Sequence, residues 1–160
     1  MADDDRTAKL AEMLKGKRAC MMTTTDGDGT LQSRPMALQA SEFDGDLWFF
    51  AERDSRKVQQ LATDPQVNVT VSESSEWISL TGSGVVVDDV AKKRELWNGV
   101  VSAFFPGGPD DDGIVLLKVE ASSAEYWDTP GGRVASLVSF AKAKVTGKPY
   151  DGGIDEKVSL

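Results

Sequence analysis

Residues 47–57 read Leu47-Trp-Phe-Phe-Ala-Glu-Arg-Asp-Ser-Arg-Lys57, an apolar run that passes into a polar turn and two basic residues. The first five residues are typical of a buried strand. Apolar residues then recur at helical spacing as far as Asp64-Pro65, where the proline ends the segment. The stretch therefore predicts a strand, a tight turn and a helix that begins at about Ser55.

The predicted start of this helix carries Ser55, Arg56 and Lys57. A helix N-terminus presents unpaired backbone N–H groups and a partial positive charge, so it attracts anions. A hydroxyl, a guanidinium and an ammonium all donate to phosphate oxygens, and we predict a phosphate site here. In the alternative interpretation, Asp54 or Ser55 only caps the helix and the two cations are solvated. Two consecutive cations at this end of a helix nevertheless favour a bound anion.

The composition is that of one acidic globular domain. The chain has 160 residues, 40% hydrophobic and 28% charged, which fits a single domain over 1–160. Its net charge of −8 repels nucleic acid and anionic membranes, so we expect neither as a partner. No apolar run reaches transmembrane length, the acidic Asp3-Asp-Asp5 is unlike a secretory signal, and Cys20 is the single cysteine. These features predict a cytoplasmic protein.

Histidine is absent from the sequence. Its absence excludes Ser-His-Asp and Cys-His nucleophiles, histidine metal sites and the commonest general base. There is no CxxC pair, Walker loop or dinucleotide GxGxxG motif, and Gly82-Ser-Gly84 precedes valines, which indicates an irregular strand. We predict no metal site and assign no catalytic residue, so that a cofactor would supply any chemistry.

The order of apolar patterns predicts a meander of strands with few helices. Asp26-Gly-Asp-Gly29 is a strong hairpin turn. The predicted strands are 18–25, 30–40, 46–51, one around 67–71, 77–88 and 114–127; the predicted helices are 6–16, 55–63, 89–103 and a C-terminal helix containing Val134, Leu137, Val138 and Ala141. Residues 147–160 are expected to form a loose tail. Six antiparallel strands with flanking helices are typical of a small barrel.

The order and spacing of several motifs resemble the flavin-binding split barrels. The motifs are Arg34-Pro-Met-Ala-Leu-Gln39, Leu47-Trp-Phe-Phe-Ala51, Ser55-Arg-Lys57, and Glu125-Tyr-Trp127 with Gly131-Gly-Arg133. This superfamily includes pyridoxamine 5′-phosphate oxidases and bacterial general stress proteins, and the short acidic general stress proteins are the most similar. The resemblance covers about residues 8–140. It implies a mainly β (α+β) fold, a six-stranded antiparallel split β-barrel with flanking helices, and a homodimer with flavin sites at its interface.

The resemblance also implies a set of flavin-contacting residues. These are Arg34 at the phosphate or ribityl chain, Phe50 and Ala51 along the flavin, Ser55, Arg56 and Lys57 at the phosphate, and Trp77 and Trp127 near the ring. Aromatic residues mostly pack in the core. In the alternative interpretation, Trp77 and Trp127 pack in the core instead of contacting the flavin, and so does at least one of Trp48 and Phe50, which alternate on the same strand. Pro35 cannot donate to a strand ladder and therefore marks an edge or a bulge.

Two departures from the oxidase pattern bear on activity. Gln39 stands where the oxidases have a lysine, and Arg133-Val-Ala-Ser136 replaces their Arg-x-His element. Both positions belong to the substrate phosphate site of the oxidases, so the resemblance does not imply oxidation of a vitamin B6 phosphate.

Three functional hypotheses follow. The first is a stress protein that binds FMN, with FAD as a further candidate, and stores, senses or shields it. The second is an oxidoreductase that uses a flavin or the deazaflavin F420 on a small molecule. The acidic surface disfavours F420, because its anionic side chain would need a basic groove. The third is a barrel without cofactor that acts through dimer contacts.

Overall fold

The computed structural model describes residues 2–39, 41–73, 75–129, 141–149 and 153–160. The helices are α1 (Ala2–Leu14), α2 (Arg56–Thr63), α3 (Val90–Leu96) and α4 (Gly99–Phe104), and the strands are β1 (Ala19–Thr25), β2 (Leu31–Ala37), β3 (Asp46–Glu52), β4 (Gln66–Glu73), β5 (Glu76–Val87), β6 (Ile114–Asp128) and β7 (Ile154–Ser159). Residues 141–146 are also helical. Within these ranges no helix has the length and apolar composition to cross a bilayer.

The strands form one antiparallel sheet in the order β2-β1-β4-β5-β6-β3, and β7 pairs with the second half of β6. The end strands β2 and β3 approach each other without pairing, so the sheet of the described chain is not closed. The mainly β, antiparallel architecture with flanking helices is confirmed. The predicted count of six strands is corrected to seven.

The seventh strand lies in the segment that the sequence predicted to be a loose tail. Residues 147–160 contain β7, which pairs from Ser123↔Ser159 to Asp128↔Ile154. Val158 is fully buried and lies opposite Ala124, while the other residues of β7 are exposed or half-buried. A strand with one buried residue among polar neighbours gives no clear alternation in the sequence, and its register comes from the partner strand.

The core lies on the inner face of the sheet, where α1 and α2 also contribute. Every second residue of β1 and β4 is buried there, including Met22 and Val69, both fully inaccessible. Cys20 belongs to the same face, as the sequence predicted, and burial raises the pKa of its thiol to about 12. This thiol is therefore neutral and packs as a small apolar side chain.

The outer face of the sheet is covered at one end and open at the other. Near β3, helices α3 and α4 cover a small apolar cluster that contains Phe50, Leu116 and Val101, with Trp97 packed against it. The predicted helix 89–103 is divided in two, because Asn98 caps α4 by accepting hydrogen bonds from Val100 N and Val101 N.

The open part of the outer face spans β2, β1, β4 and β5 and carries no charged side chain. Its residues are Ala19, Met21, Thr23, Ser33, Pro35, Asn68, Thr70, Ser72, Trp77, Ser79 and Thr81. Hydrogen bonds between Thr23 and Ser33 and between Asn68 and Ser79 show that they share one face. We call this surface the uncharged face. Pro35 lies in the edge strand β2, as its missing N–H predicted.

β5 is irregular where the sequence predicted it. The register between β5 and β6 shifts between Thr81 and Gly82. A Cβ atom at Gly82 would overlap the Glu120 carbonyl oxygen, so the close approach of β6 requires glycine. The predicted glycine-rich irregularity is confirmed. Of the predicted C-terminal helix, Val134, Leu137 and Val138 lie outside the described residues, as do Gly131-Gly-Arg133.

Candidate functional site

An open cleft of about 460 Å³ separates the edge strand β2 from the start of α2, and Gln32, Ser33, Arg34, Arg56 and Lys57 line it. The chain reaches α2 directly from β3 through a short turn, which places the basic residues of the helix opposite Arg34. Three of the five lining side chains are cationic and none is acidic. The geometry therefore brings Arg34, Arg56 and Lys57 together in a cleft suited to an anion, while Ser55 is not among the lining residues.

Ser55 occupies the N-cap position of α2, but its side chain does not cap the helix. Its Oγ is buried and has no hydrogen-bond partner among the described residues. A buried hydroxyl without a partner is costly, so an unused Oγ beside two cations fits a ligand acceptor. The alternative interpretation, in which Ser55 serves as a capping side chain, does not hold in this structure.

Lys57 is a half-buried cation. No hydrogen bond or ion pair of its ammonium is found within the described chain, although several other cations of the protein have carboxylate partners. Burial lowers the pKa of Lys57, and the positive charge of Arg34 lowers it further. A partly desolvated ammonium beside another cation is stabilised by an anion placed between them.

Arg34 is held by a buried polar network that the sequence analysis did not find. Its Nη1 donates to Thr24 Oγ1 at 2.6 Å, and its Nη2 donates to Gln60 Oε1 at 3.0 Å. Thr24 also donates to Gln60 Oε1 at 2.7 Å, and Gln60 Nε2 donates to Gln32 Oε1 at 2.9 Å. Thr24 and Gln60 are buried, and burial lowers the pKa of Arg34. One feature of the sequence indicates this network: Gln60 is a polar residue on the buried face of α2, between Val58 and Leu61.

Arg56 is exposed and already contacts a carboxylate. Its Nη2 donates to Asp26 Oδ2 at 2.5 Å, across to the end of β1. The hydrogen bond from Arg56 is the main cause that lowers the pKa of Asp26, and the backbone N–H of Gly27 adds to it. Asp26 was predicted only as a turn residue of the β1–β2 hairpin.

The turn before α2 is fixed by Arg53. Its backbone N donates to Gly113 O at 2.8 Å, its Nε donates to Asp112 O at 2.7 Å, and its Nη2 donates to Asp88 Oδ2 at 2.7 Å. These bonds join the turn to the acidic loop before β6 and to the end of β5. Arg53 thereby positions the turn from which Ser55 and α2 begin.

Phe50 and Ala51 lead into this turn, and their side chains are buried on opposite faces of β3. Phe50 packs edge-to-face against Trp97, with ring centroids 5.3 Å apart, and also contacts Phe105. Ala51 belongs to the main core. Both side chains are therefore engaged within the protein, and neither residue lines the cleft.

Trp77 and Trp127 are neighbours, opposite each other on β5 and β6. Across the sheet, Arg34 on β2 lies beside Met22 on β1, which lies beside Val69 on β4 and Leu80 on β5. Trp77 is three residues before Leu80 on β5, so it is separated from Arg34 by three strand spacings and by three residues along the strand. These offsets correspond to about 14 Å and about 10 Å, and Trp77 is on the uncharged face. The structure of one chain thus brings the cations together and leaves both tryptophans apart from them.

Comparison with known proteins relates this chain to a described family. Residues 5–151 match the family model called pyridoxamine 5′-phosphate oxidase like. A general stress protein 26 from Jannaschia sp. CCS1 has a similar structure, with a TM-score of 0.78, 28% identity, and coverage of 98% of this chain and 99% of that one. A general stress FMN/FAD binding protein from Xanthomonas citri gives a TM-score of 0.67 and 29% identity over 78% of this chain and 89% of that one.

A general stress family protein from Xanthomonas campestris pv. campestris is 30% identical over 81% of this chain and 90% of its own, with a TM-score of 0.68. The comparison with curated proteins finds no match.

Proposed function

Because the chain belongs to the pyridoxamine 5′-phosphate oxidase-like family, we propose that it binds FMN, with the phosphate held between Arg34 and the start of α2. The observation that carries this proposal is the half-buried Lys57, which makes no hydrogen bond or ion pair within the described residues and lies beside Arg34; only the more distant charge of Glu52 partly offsets the fall in its pKa. A terminal phosphate would accept hydrogen bonds from Lys57, from Arg56 and from the unused Ser55 hydroxyl. The bound flavin would supply redox chemistry.

We infer that FMN, rather than FAD, is the ligand of this cleft. The three cations converge on one cleft, which suits a terminal phosphate monoester with its two negative charges. FAD carries a diphosphate that continues into an adenosine, so its phosphates would have to cross the cleft. The similarity to a general stress FMN/FAD binding protein supports a flavin nucleotide without distinguishing the two.

We propose a role in flavin storage or redox stress response rather than oxidation of a B6 vitamer. Gln39, which replaces the lysine of the oxidases, is engaged within the protein: its Nε2 donates to Ala37 O and its Oε1 accepts from Asn98. It therefore adds no cation that could hold a second phosphate. The similarity to general stress proteins supports the same assignment.

We propose that a second copy of the chain covers the uncharged face. Met21 and Trp77 are 43% and 42% exposed there, and the face carries no charge in a chain with 28% charged residues. An apolar and hydroxyl-rich surface without charges is typical of the core of an interface. In such a homodimer, Trp77 and Trp127 of one chain would approach the flavin of the other.

The proposal is tested by titrating FMN, FAD and riboflavin into the wild-type chain and a Lys57→Ala variant, following flavin fluorescence. Charge-assisted bonds to phosphate contribute about 1.5–3 kcal/mol each, so Lys57→Ala should weaken FMN binding about tenfold or more. Riboflavin lacks the phosphate and should bind both proteins equally.

Lys15→Ala is the matched control, because Lys15 is exposed and its loss changes the net charge by the same amount. Equal losses of FMN and riboflavin affinity in Lys57→Ala would contradict the phosphate assignment. An effect of Lys15→Ala as large as that of Lys57→Ala would show that only the overall charge matters.

A further inference from the structure

A carboxylate of the protein itself contacts one of the cations of the proposed phosphate site. Asp26 lies where β1 enters the hairpin, and its Oδ2 accepts a hydrogen bond from Arg56 Nη2 at 2.5 Å. Arg56 lines the cleft, whereas Asp26 is not among the lining residues. Of the three cations that line the cleft, Arg56 is the one that forms a direct ion pair with a carboxylate of the described chain.

The hairpin holds Asp26 firmly in this position. Asp26 N donates to Thr30 O at 2.8 Å, and Gly29 N donates to Asp26 O at 2.9 Å, which closes the turn. The other carboxylate oxygen, Oδ1, accepts from Gly27 N at 3.1 Å. A carboxylate with both oxygens engaged on a closed turn is preorganised, so it faces Arg56 without a large loss of conformational freedom.

We propose that Asp26 acts as an internal competitor for the phosphate and thereby sets the affinity of the site; this inference rests on the flavin-binding function proposed above. A phosphate bound to Arg56 either displaces the carboxylate or lies beside it, and two anions at such a distance repel each other. Asp26 lowers the affinity in both cases. The site therefore binds FMN more weakly than its three cations would allow, which suits a protein that exchanges flavin rather than retaining it.

The test compares Asp26→Asn with Asp28→Asn. Asparagine at 26 removes the charge but keeps an acceptor for Gly27 N. Asp28 lies in the same hairpin and accepts from Thr30 N at 2.9 Å, a bond that asparagine also keeps, so both variants lose one charge at the same turn. Exposed ion pairs are weak because solvent and salt screen them, so the expected change in affinity is a few-fold.

We expect Asp26→Asn to bind FMN about two- to fivefold more tightly than the wild type, with riboflavin affinity unchanged and with no such gain in Asp28→Asn. Weaker FMN binding in Asp26→Asn would overturn the inference, because Asp26 would then orient Arg56 for the phosphate. An equal gain in both variants would also overturn it, since it would reflect net charge alone.

A second measurement separates this inference from the flavin function. In the flavin-free protein, the Arg56 side-chain Nε–H signal is followed by NMR while inorganic phosphate is added. The signal should respond at lower phosphate concentration in Asp26→Asn than in the wild type. An equal response in both proteins, or none, overturns the competition whatever FMN does. Equal FMN and riboflavin affinities of the wild type would instead contradict the proposed function.

Discussion

Gln60 shows how one buried side chain determines the geometry of the site. Its Oε1 accepts hydrogen bonds from both Thr24 and Arg34, and its Nε2 donates to Gln32. Both the oxygen and the nitrogen of this amide are thus hydrogen-bonded, and Gln60 and Thr24 are buried from water. The position of Arg34 in the cleft depends on this network as much as on its own strand.

Replacing Gln60 by leucine should damage both stability and binding. The change leaves the Thr24 hydroxyl and one arm of Arg34 without their partner, and such buried unsatisfied groups cost about 1–3 kcal/mol. We expect the free energy of unfolding to fall by about this amount in urea denaturation, and FMN affinity to fall more than riboflavin affinity.

Gln59→Leu is the matched control, because Gln59 is the exposed neighbour on α2 and its Nε2 donates to the Asp54 carbonyl oxygen, outside the network of Gln60. A Gln60→Leu protein as stable as Gln59→Leu would show that the network contributes nothing to folding.

At the scale of single residues, the candidate site follows from the sequence where the chemistry is local. Ser55, Arg56 and Lys57 were proposed as phosphate ligands because a helix start and its flanking side chains are neighbours in the chain. Arg34 was proposed through the family resemblance, and the structure places it opposite Arg56 and Lys57. Thr24, Gln60 and Asp26 were not proposed, because their roles arise only when β1, β2 and α2 meet. Nothing in the printed sequence distinguishes Asp26 from an ordinary turn aspartate.

Among the elements, β5 depends on two glycines that differ in what surrounds them. At Gly82, a Cβ atom would overlap the backbone carbonyl of Glu120 on the paired strand. At Gly84, a Cβ atom would lie 2.7 Å from Leu61 Cδ2, the end of a side chain on α2. A side chain can change rotamer, whereas the paired backbone cannot move without breaking its ladder.

We therefore predict that Gly82→Ala is more destabilising than Gly84→Ala. Overpacking against a side chain costs about 1–3 kcal/mol, which sets the expected loss for Gly84→Ala. The loss for Gly82→Ala should exceed this value, because the register of β5 on β6 must change. Chemical denaturation of both variants measures the order. A Gly82→Ala protein that is the more stable of the two would contradict the structural role of the bulge.

Helices and strands were predicted from the sequence where their apolar residues recur with a clear period. In β4, Val67, Val69 and Val71 alternate with polar residues, and the strand was predicted because this pattern indicates one buried face. β7 has one fully buried side chain, Val158, and it was missed. The division between α3 and α4 was also missed, because Asn98 is recognised as a cap only once the chain direction on both sides is known.

For the whole molecule, the distribution of charge is the feature that matters most. The net charge is −8, yet four adjacent strands share a face without a single charged side chain. On the same face of the sheet, the next strands, β6 and β7, carry charged residues, and Glu125 lies opposite Lys157. A boundary of this kind matches the outline of an interface, with an uncharged centre and a polar rim.

A single charge on the uncharged face should therefore dissociate a dimer. Met21 is 43% exposed, so Met21→Lys is tolerated by the isolated chain but would place a cation inside the interface. We expect light scattering to show a dimeric wild type and a monomeric Met21→Lys.

Val145→Lys makes the same change at a residue that is 86% exposed on the helical segment 141–146, and it should stay dimeric. A monomeric wild type, or a Met21→Lys variant that remains dimeric, would exclude this surface as the interface.

The pairing of β7 with β6 has a consequence for the chain as it is synthesised. The edge of β6 from Ser123 to Asp128 finds its partner only in residues 154–159. A ribosome adds about 5–20 residues per second, so the 31 residues between the ends of the two strands take about 2–6 s. Until β7 pairs with it, this edge of β6, which includes Tyr126 and Trp127, is open and of the kind that pairs with other chains. A chain that lacks β7 would therefore present one more open strand edge than the finished fold, in which β2 and β3 are the end strands.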